Sequence, residues 1–174
     1  MTPHRLSAGA LAGAVAAAAW AAQQPLDRRL FGVPYDDTEL LGKAVTQGSS
    51  WPWVGALLHI GNGAALGALY SGMLKSRLPG PAPALVLALA EHLGTWPLTR
   101  FVNRWHPAGD ELPVLWGDHR AFAQASWRHV LFGVVLGLVE QRLSPPAPPD
   151  PPWPMSSNGS GDLEAAIRSR AVPD

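Results

Sequence analysis

Cysteine is absent from all 174 residues of the sequence, and lysine occurs only at Lys43 and Lys75. The lack of cysteine excludes disulfide bonds, thiolate metal sites and a cysteine nucleophile. Charged side chains make up 15% of the chain, compared with about 25% in a typical soluble domain. The formal net charge is zero, so the chain has no basic field that would attract nucleic acid. The composition therefore argues against thiol chemistry and against nucleic-acid binding.

Apolar residues make up 47% of the chain and concentrate in residues 5–22, 53–74, 81–98 and 121–143. Each stretch has about the length that a transmembrane helix needs, roughly 17 to 25 residues. Tryptophans lie near their ends, as expected at a membrane–water interface: Trp20, Trp51, Trp53, Trp96 and Trp127. We predict an all-α integral membrane four-helix bundle over residues 1–144. Two alternatives stay open: a soluble bundle with an unusually apolar core, and a cleaved signal peptide for the first stretch.

The second and fourth apolar stretches share one pattern, a histidine followed by two glycines at four-residue spacing. It is formed by His59, Gly63 and Gly67, and again by His129, Gly133 and Gly137. The first and third stretches end alike, in Pro25-Leu26 and Pro97-Leu98. The shift of about 70 residues predicts two parallel two-helix repeats. The pairs Gly9/Gly13, Gly63/Gly67 and Gly133/Gly137 are predicted to serve internal helix packing, with a homo-oligomer as the alternative.

Polar segments connect the apolar stretches. In residues 23–50, Asp36 and Glu39 have the spacing of a capping box, which predicts a short surface helix. Residues 100–118 form a second long loop, and residues 75–83 predict a tight turn between the second and third helices. Residues 145–174 are proline-rich and then polar, so we predict a disordered tail. Its PxxP spacing would suit a partner whose identity the tail does not reveal.

Ionisable residues inside a membrane usually mark a function or an internal pair. Crossing directions bring one set together toward the long loops: His59, Asn62, Glu91, His92, Arg128 and His129. One interpretation is structural, with Glu91 paired to Arg128. A second is a proton relay through Glu91 and the histidines. A third is a divalent metal or haem held by His59 and His129, with Glu91 as a further metal ligand.

Ordinary soluble catalysis is not indicated, because the sequence has no GxSxG, P-loop or HExxH pattern. We predict a non-enzymatic membrane protein whose polar cluster serves structure, partner binding or modest proton and ion handling. A metal- or haem-binding, redox-linked protein is the alternative.

The predicted helices, the HxxxG pattern of the second one and the Tyr70 that follows it resemble small bacterial inner-membrane proteins of the YagU-like group. This resemblance covers about residues 5–143 and implies an architecture but no functional residues. The excess of arginine, alanine, glycine and proline is compatible with a GC-rich bacterial genome. The predicted location is therefore the bacterial inner membrane, and the basic residues around the short turn predict cytoplasmic termini.

Overall fold

The computed structural model describes residues 3–74 and 81–144, and this part of the chain is helical without any strand. The elements are α1 (Pro3–Phe31), α2 (Asp37–Val45), α3 (Trp51–Leu69), α4 (Ala82–Thr95), α5 (Val102–Trp105) and α6 (His119–Leu143). A π-helical turn, Tyr70–Leu74, follows α3, and a 3-10 helix, Trp96–Phe101, follows α4. The all-α prediction is confirmed. The predicted tail at 145–174 and most of the predicted turn at 75–83 lie outside the described residues.

Helix α1 continues well beyond its predicted end near residue 22. It runs through Pro25 to Phe31, although proline lacks the N–H that a helix interior uses. Polar side chains in the added turns are held by α6: Gln23 accepts a hydrogen bond from Trp127 at 3.2 Å, and Asp27 binds Arg128. The polarity that indicated a loop belongs instead to buried contacts between two helices.

Two aspartates begin helices by capping them. Asp36 accepts hydrogen bonds from the backbone N–H groups of Thr38 and Glu39, so the predicted short helix after Asp36 is confirmed as α2. Asp118 accepts from the N–H groups at the start of α6. Such caps satisfy backbone donors that have no partner within the helix. The regular helix α4 stops at Thr95, earlier than the predicted residue 98, because the chain tightens there into the 3-10 helix.

The long helices pack as antiparallel neighbours in the order α3, α1, α6, α4, and α2 lies against α3. Glycines let the backbones of α1 and α3 approach closely. A methyl group added to Gly13 would lie 2.0 Å from the carbonyl oxygen of Gly63, and one added to Gly67 would lie 2.1 Å from that of Gly9. These four glycines therefore lie where the two helices cross.

The second glycine pair lies between α6 and α4. A methyl group on Gly133 would lie 2.6 Å from the Cα atom of Leu85, and one on Gly137 would lie 2.5 Å from the Cα atom of Pro81. All three GxxxG pairs thus occur at close helix–helix contacts inside the chain. Helices α3 and α4, in contrast, do not pack along their lengths and meet only near the π-helical turn.

Many large apolar side chains lie on the outside of this arrangement, and the interior combines small and ionisable side chains with large apolar ones such as Phe132 and Leu136. Leu57 is 73% exposed and Val86 66%, whereas Arg128 is completely buried. Exposed large apolar side chains in groups and buried charges are the two departures from ordinary burial that carry information. Among the described residues, His4–Phe31 and His119–Leu143 are long and apolar enough to cross a membrane, by length and composition alone.

Candidate functional site

A cavity of about 510 Å³ occupies the space that α3 and α4 leave between them. Leu66, Leu69 and Phe132 line it about one to two helical turns beyond the polar side chains of α3 and α6, and Leu40 and Leu41 line it on α2, after Asp37. The polar end combines side chains from five helical segments and the first loop: Trp20, Tyr35, Asp37, His59, Asn62, Glu91, Thr95 and His129. Four members of the predicted polar cluster, His59, Asn62, Glu91 and His129, therefore line one cavity. Arg128 and His92 do not line it.

Arg128 is completely buried behind the cavity and holds two carboxylates. Its Nε and Nη2 atoms donate to the two oxygens of Asp27 at 2.6 and 2.7 Å, and Nη1 donates to Asp37 at 2.7 Å. Nη2 also donates to the backbone oxygen of Tyr35 at 3.0 Å. The predicted pair between Glu91 and Arg128 is therefore wrong. The true partners, Asp27 and Asp37, are not predicted from the sequence because both lie in residues 23–50, which are predicted to form a polar connection outside the helices.

Asp37 joins this buried ion network to the cavity. Its carboxylate also accepts hydrogen bonds from the indole of Trp20 at 2.9 Å and from the hydroxyl of Tyr35 at 2.6 Å. Burial, and next the nearby negative charge of Asp37, raise the pKa of Tyr35 well above its usual value, so the phenol remains a donor. Three donors thus fix the Asp37 side chain at the cavity wall.

A signal for Asp27 was present in the sequence. The buried face of α1 runs through Gly9, Gly13, Ala16, Trp20 and Gln24 at three- and four-residue spacing, and Asp27 is the next position on that face. Asp37 carried no comparable signal, because its position depends on how the loop after α1 turns back.

Glu91 and His129 form a second ionisable pair at the cavity. His129 donates through Nδ1 to the backbone oxygen of Ala125 at 2.7 Å, since a carbonyl can only accept. Its Nε2 atom lies 2.9 Å from a carboxylate oxygen of Glu91. Glu91 therefore offsets any positive charge that His129 carries, and the pair supplies no net positive charge to the cavity.

His92 packs behind this pair and is 2% exposed. Its ring stacks on that of His129, with the centroids 4.5 Å apart. The Ser126 hydroxyl donates to the backbone oxygen of Phe122, so it accepts from Nε2 of His92 at 2.9 Å. His92 thus supports His129 by ring stacking, and no hydrogen bond between the two is found in the described part of the chain.

Trp20 separates the two histidines of the repeated pattern. Its ring centroid lies 5.3 Å from that of His59 and 4.6 Å from that of His129, edge-on to both. His59 donates through Nε2 to the backbone oxygen of Ala17 at 3.2 Å. The indole of Trp20 thus contacts both imidazoles, and in the described part of the chain no ring contact joins His59 to His129 directly. In residues 3–74 and 81–144, no three histidine, aspartate or glutamate side chains are grouped as metal ligands.

The same geometry bears on the predicted proton relay. Within the described residues, hydrogen bonds link Glu91 to His129, whereas His59 is bonded to a backbone oxygen beyond Trp20. The four predicted relay residues are thus not joined into one hydrogen-bonded path. The arrangement instead provides a cavity with one polar end and one apolar end.

Comparison with known proteins returned no match to a protein family, to a curated protein or to a solved structure. The functional interpretation therefore rests on the residues and their geometry.

Proposed function

We propose that the chain is an integral membrane four-helix bundle in which α1, α3, α4 and α6 cross the bilayer. The distribution of side chains supports this proposal most directly, because exposed leucines and valines cover a core that contains buried charges. Lipid is the solvent in which such an exterior is stable, and buried ionisable residues in membrane helices typically face the bundle interior. The inner-membrane location, the cytoplasmic termini and the resemblance to the YagU-like group stay predictions.

Equivalent helix contacts support the two parallel repeats. Gly67 approaches Gly9 in the first half as Gly137 approaches Pro81 in the second. Gly63 approaches Gly13 as Gly133 approaches Leu85. Each member of one contact corresponds to a member of the other after a shift of about 70 residues, as the repeated sequence pattern requires. Between the halves, the repeat relates the contact of α1 with α6 to that of α4 with α3. Only the first pair packs along its length, so the symmetry of the two repeats is broken between α3 and α4.

Spin labels would test the membrane boundary in a chain that has no native cysteine to remove. We expect nitroxides at Leu57→Cys and Val86→Cys to collide more with oxygen, which dissolves in lipid, than with a water-soluble nickel complex. A label at Gln47→Cys, an exposed position in the first loop, is the control and should show the reverse. Preferential collision of nickel with labels at both Leu57 and Val86 would exclude a bilayer around these helices.

Within this membrane protein, we infer that the cavity between α3 and α4 binds one amphipathic molecule that enters from the side. The observation that carries this inference is that one cavity combines hydrogen-bonding groups with the apolar side chains of Leu66, Leu69 and Phe132. Its volume of about 510 Å³ lies within the usual range of small-molecule sites, about 300 to 1,000 Å³. The protein is thus proposed to be a binding module for an amphiphile, without catalysis.

Ligand retention tests this function. Ala65 is an exposed residue on the cavity wall, so Ala65→Trp would fill the cavity without replacing a buried core side chain. Ala90 is also exposed but does not line the cavity, which makes Ala90→Trp the matched control. We expect native mass spectrometry of gently purified protein to find about one bound amphiphile per chain in the wild type and in Ala90→Trp. Its loss is expected in Ala65→Trp, and equal retention by both variants would rule out the cavity as the site.

A further inference from the structure

We propose that the cavity selects amphiphiles with a single positive charge, an ammonium head bound beside Asp37. This inference rests on the proposed binding function and specifies the chemical class of its ligand. It follows from the charges that surround the polar end and from Asp37, the carboxylate of the buried ion network that reaches the cavity.

The buried network behind the cavity carries one uncompensated negative charge. It contains the guanidinium of Arg128 and the carboxylates of Asp27 and Asp37, so one positive charge faces two negative ones. The Glu91–His129 pair supplies no net positive charge to offset it, because the Glu91 carboxylate balances any charge on His129. A neutral His59, donating through Nε2, leaves the sum unchanged.

No neighbouring ion pair in the described residues supplies the missing positive charge. Arg28 lies 3.4 Å from Asp36, and these two charges cancel. Lys43 lies against both Glu39 and Glu111, which leaves a further negative charge near the loop surface. The buried ion network and these neighbouring ion pairs therefore sum to a negative charge, and low-dielectric surroundings strengthen its effect on a ligand.

Asp37 is the point at which this charge becomes accessible. The side chains of Arg128 and Asp27 are 0% and 1% exposed, whereas that of Asp37 is 14% exposed and lines the cavity. Trp20 and Tyr35 line the cavity on either side of Asp37 and donate hydrogen bonds to it. Aromatic rings attract alkylammonium ions through their π faces. The Tyr35 ring already holds the Arg128 guanidinium in this way, 5.1 Å from its centroid, which leaves the Trp20 ring for the ligand.

The remaining shape of the cavity suits the apolar part of such a ligand. Leu66, Leu69 and Phe132 lie at the end away from Asp37, beneath the gap between α3 and α4. A hydrocarbon chain can enter through this gap while the ammonium group reaches the polar end. An anionic amphiphile of the same length would bring its head group toward the uncompensated negative charge.

Matched probes with one chain length test the selectivity. The full chain in neutral maltoside micelles would be titrated with decyltrimethylammonium, decanol and decanoate, and saturable binding followed by calorimetry. The cavity-filled variant Ala65→Trp provides the background from partition into micelles. We expect the cation to bind at least about tenfold more tightly than decanol, since a close ion pair contributes more than a factor of ten in a desolvated site, and decanoate to bind least.

The variant Asp37→Asn then tests whether Asp37 is the residue that binds the ammonium head. The amide oxygen can replace Oδ2, which accepts from Trp20 and Arg128, and the amide NH2 group can donate to the Tyr35 hydroxyl in place of Oδ1. The network becomes neutral, so the cation should lose about tenfold in affinity while decanol is unchanged. Glu39→Gln removes an acidic group on the same helix that does not line the cavity, and it should preserve the preference. If Asp37→Asn does not fold, the order of the three probes on the wild type still decides the question.

The outcomes separate the two proposals. Equal binding of cation and decanol above the Ala65→Trp background would overturn the charge selectivity and leave the binding function intact. Tighter binding of decanoate would also overturn it. If none of the probes exceeds that background, and no amphiphile is retained from the membrane, the cavity is not a binding site.

Discussion

Replacing Arg128 with glutamine is expected to lower the free energy of unfolding by about 3 to 5 kcal/mol, the usual loss when one partner of a buried ion pair is removed. Arg128 is completely buried and holds Asp27 and Asp37 through three charged hydrogen bonds. Its removal leaves two carboxylates together in a site that no longer contains a cation. The loss would be measured as a shift of the unfolding transition in mixed micelles with increasing dodecyl sulfate.

The control for this experiment is Arg120→Gln, on the same helix, because Arg120 is exposed and its side chain forms no hydrogen bond or ion pair within residues 3–74 and 81–144. This variant should remain within about 0.5 kcal/mol of the wild type, as surface substitutions usually do. The double variant Asp27→Asn/Arg128→Gln removes one of the two stranded charges and should recover part of the loss. A loss below about 1 kcal/mol in Arg128→Gln would show that the ion network does not hold α1 and the first loop onto α6.

Replacing Gly13 with alanine is the second large expected effect, about 1 to 3 kcal/mol of destabilisation from overpacking. The new methyl group would lie 2.0 Å from the backbone oxygen of Gly63, so α1 and α3 must move apart. Backbone atoms cannot change rotamer to make room. The separation would also remove the hydrogen bond between His59 and the backbone oxygen of Ala17, which lies one turn along α1.

Gly61→Ala provides the matched comparison on α3. A methyl group at Gly61 has no neighbour within 4 Å, and alanine favours a helix by up to about 1 kcal/mol relative to glycine. This variant should therefore be as stable as the wild type or slightly more stable. Equal stability of Gly13→Ala and Gly61→Ala would contradict the close crossing of α1 and α3.

Much of the helical organisation is readable from local pattern. The apolar stretches at 53–74 and 121–143 correspond to α3 with its π-helical turn and to α6, and the small-residue stripes lie at helix crossings. Such features depend only on the composition and spacing of residues within one helix, so a short stretch of the sequence is enough to predict them. Four of the six residues in the predicted polar cluster line one cavity for the same reason, since helix direction and depth can be inferred from the order of spans.

Local sequence pattern does not predict which ionisable side chains pair with each other. The interpretation that pairs Glu91 with Arg128 is wrong, because Glu91 pairs with His129. Arg128 instead binds Asp27, 101 positions away in the chain. The prediction ends the first helix near residue 22 because polar residues follow. The sequence does not show whether Asp27 contacts water or a guanidinium group. The length of α1 was decided by a contact with α6.

The sequence by itself determined that this protein is helical, which faces of its helices are small, and which polar residues lie at similar depth, because these properties repeat with the period of a helix. The tertiary structure alone decided that Trp20 separates His59 from His129, that Asp37 reaches the cavity, and that α3 and α4 remain apart. These features depend on the rotation and order of helices about one another. That arrangement is set by the packing of the whole bundle, and no single helix encodes it.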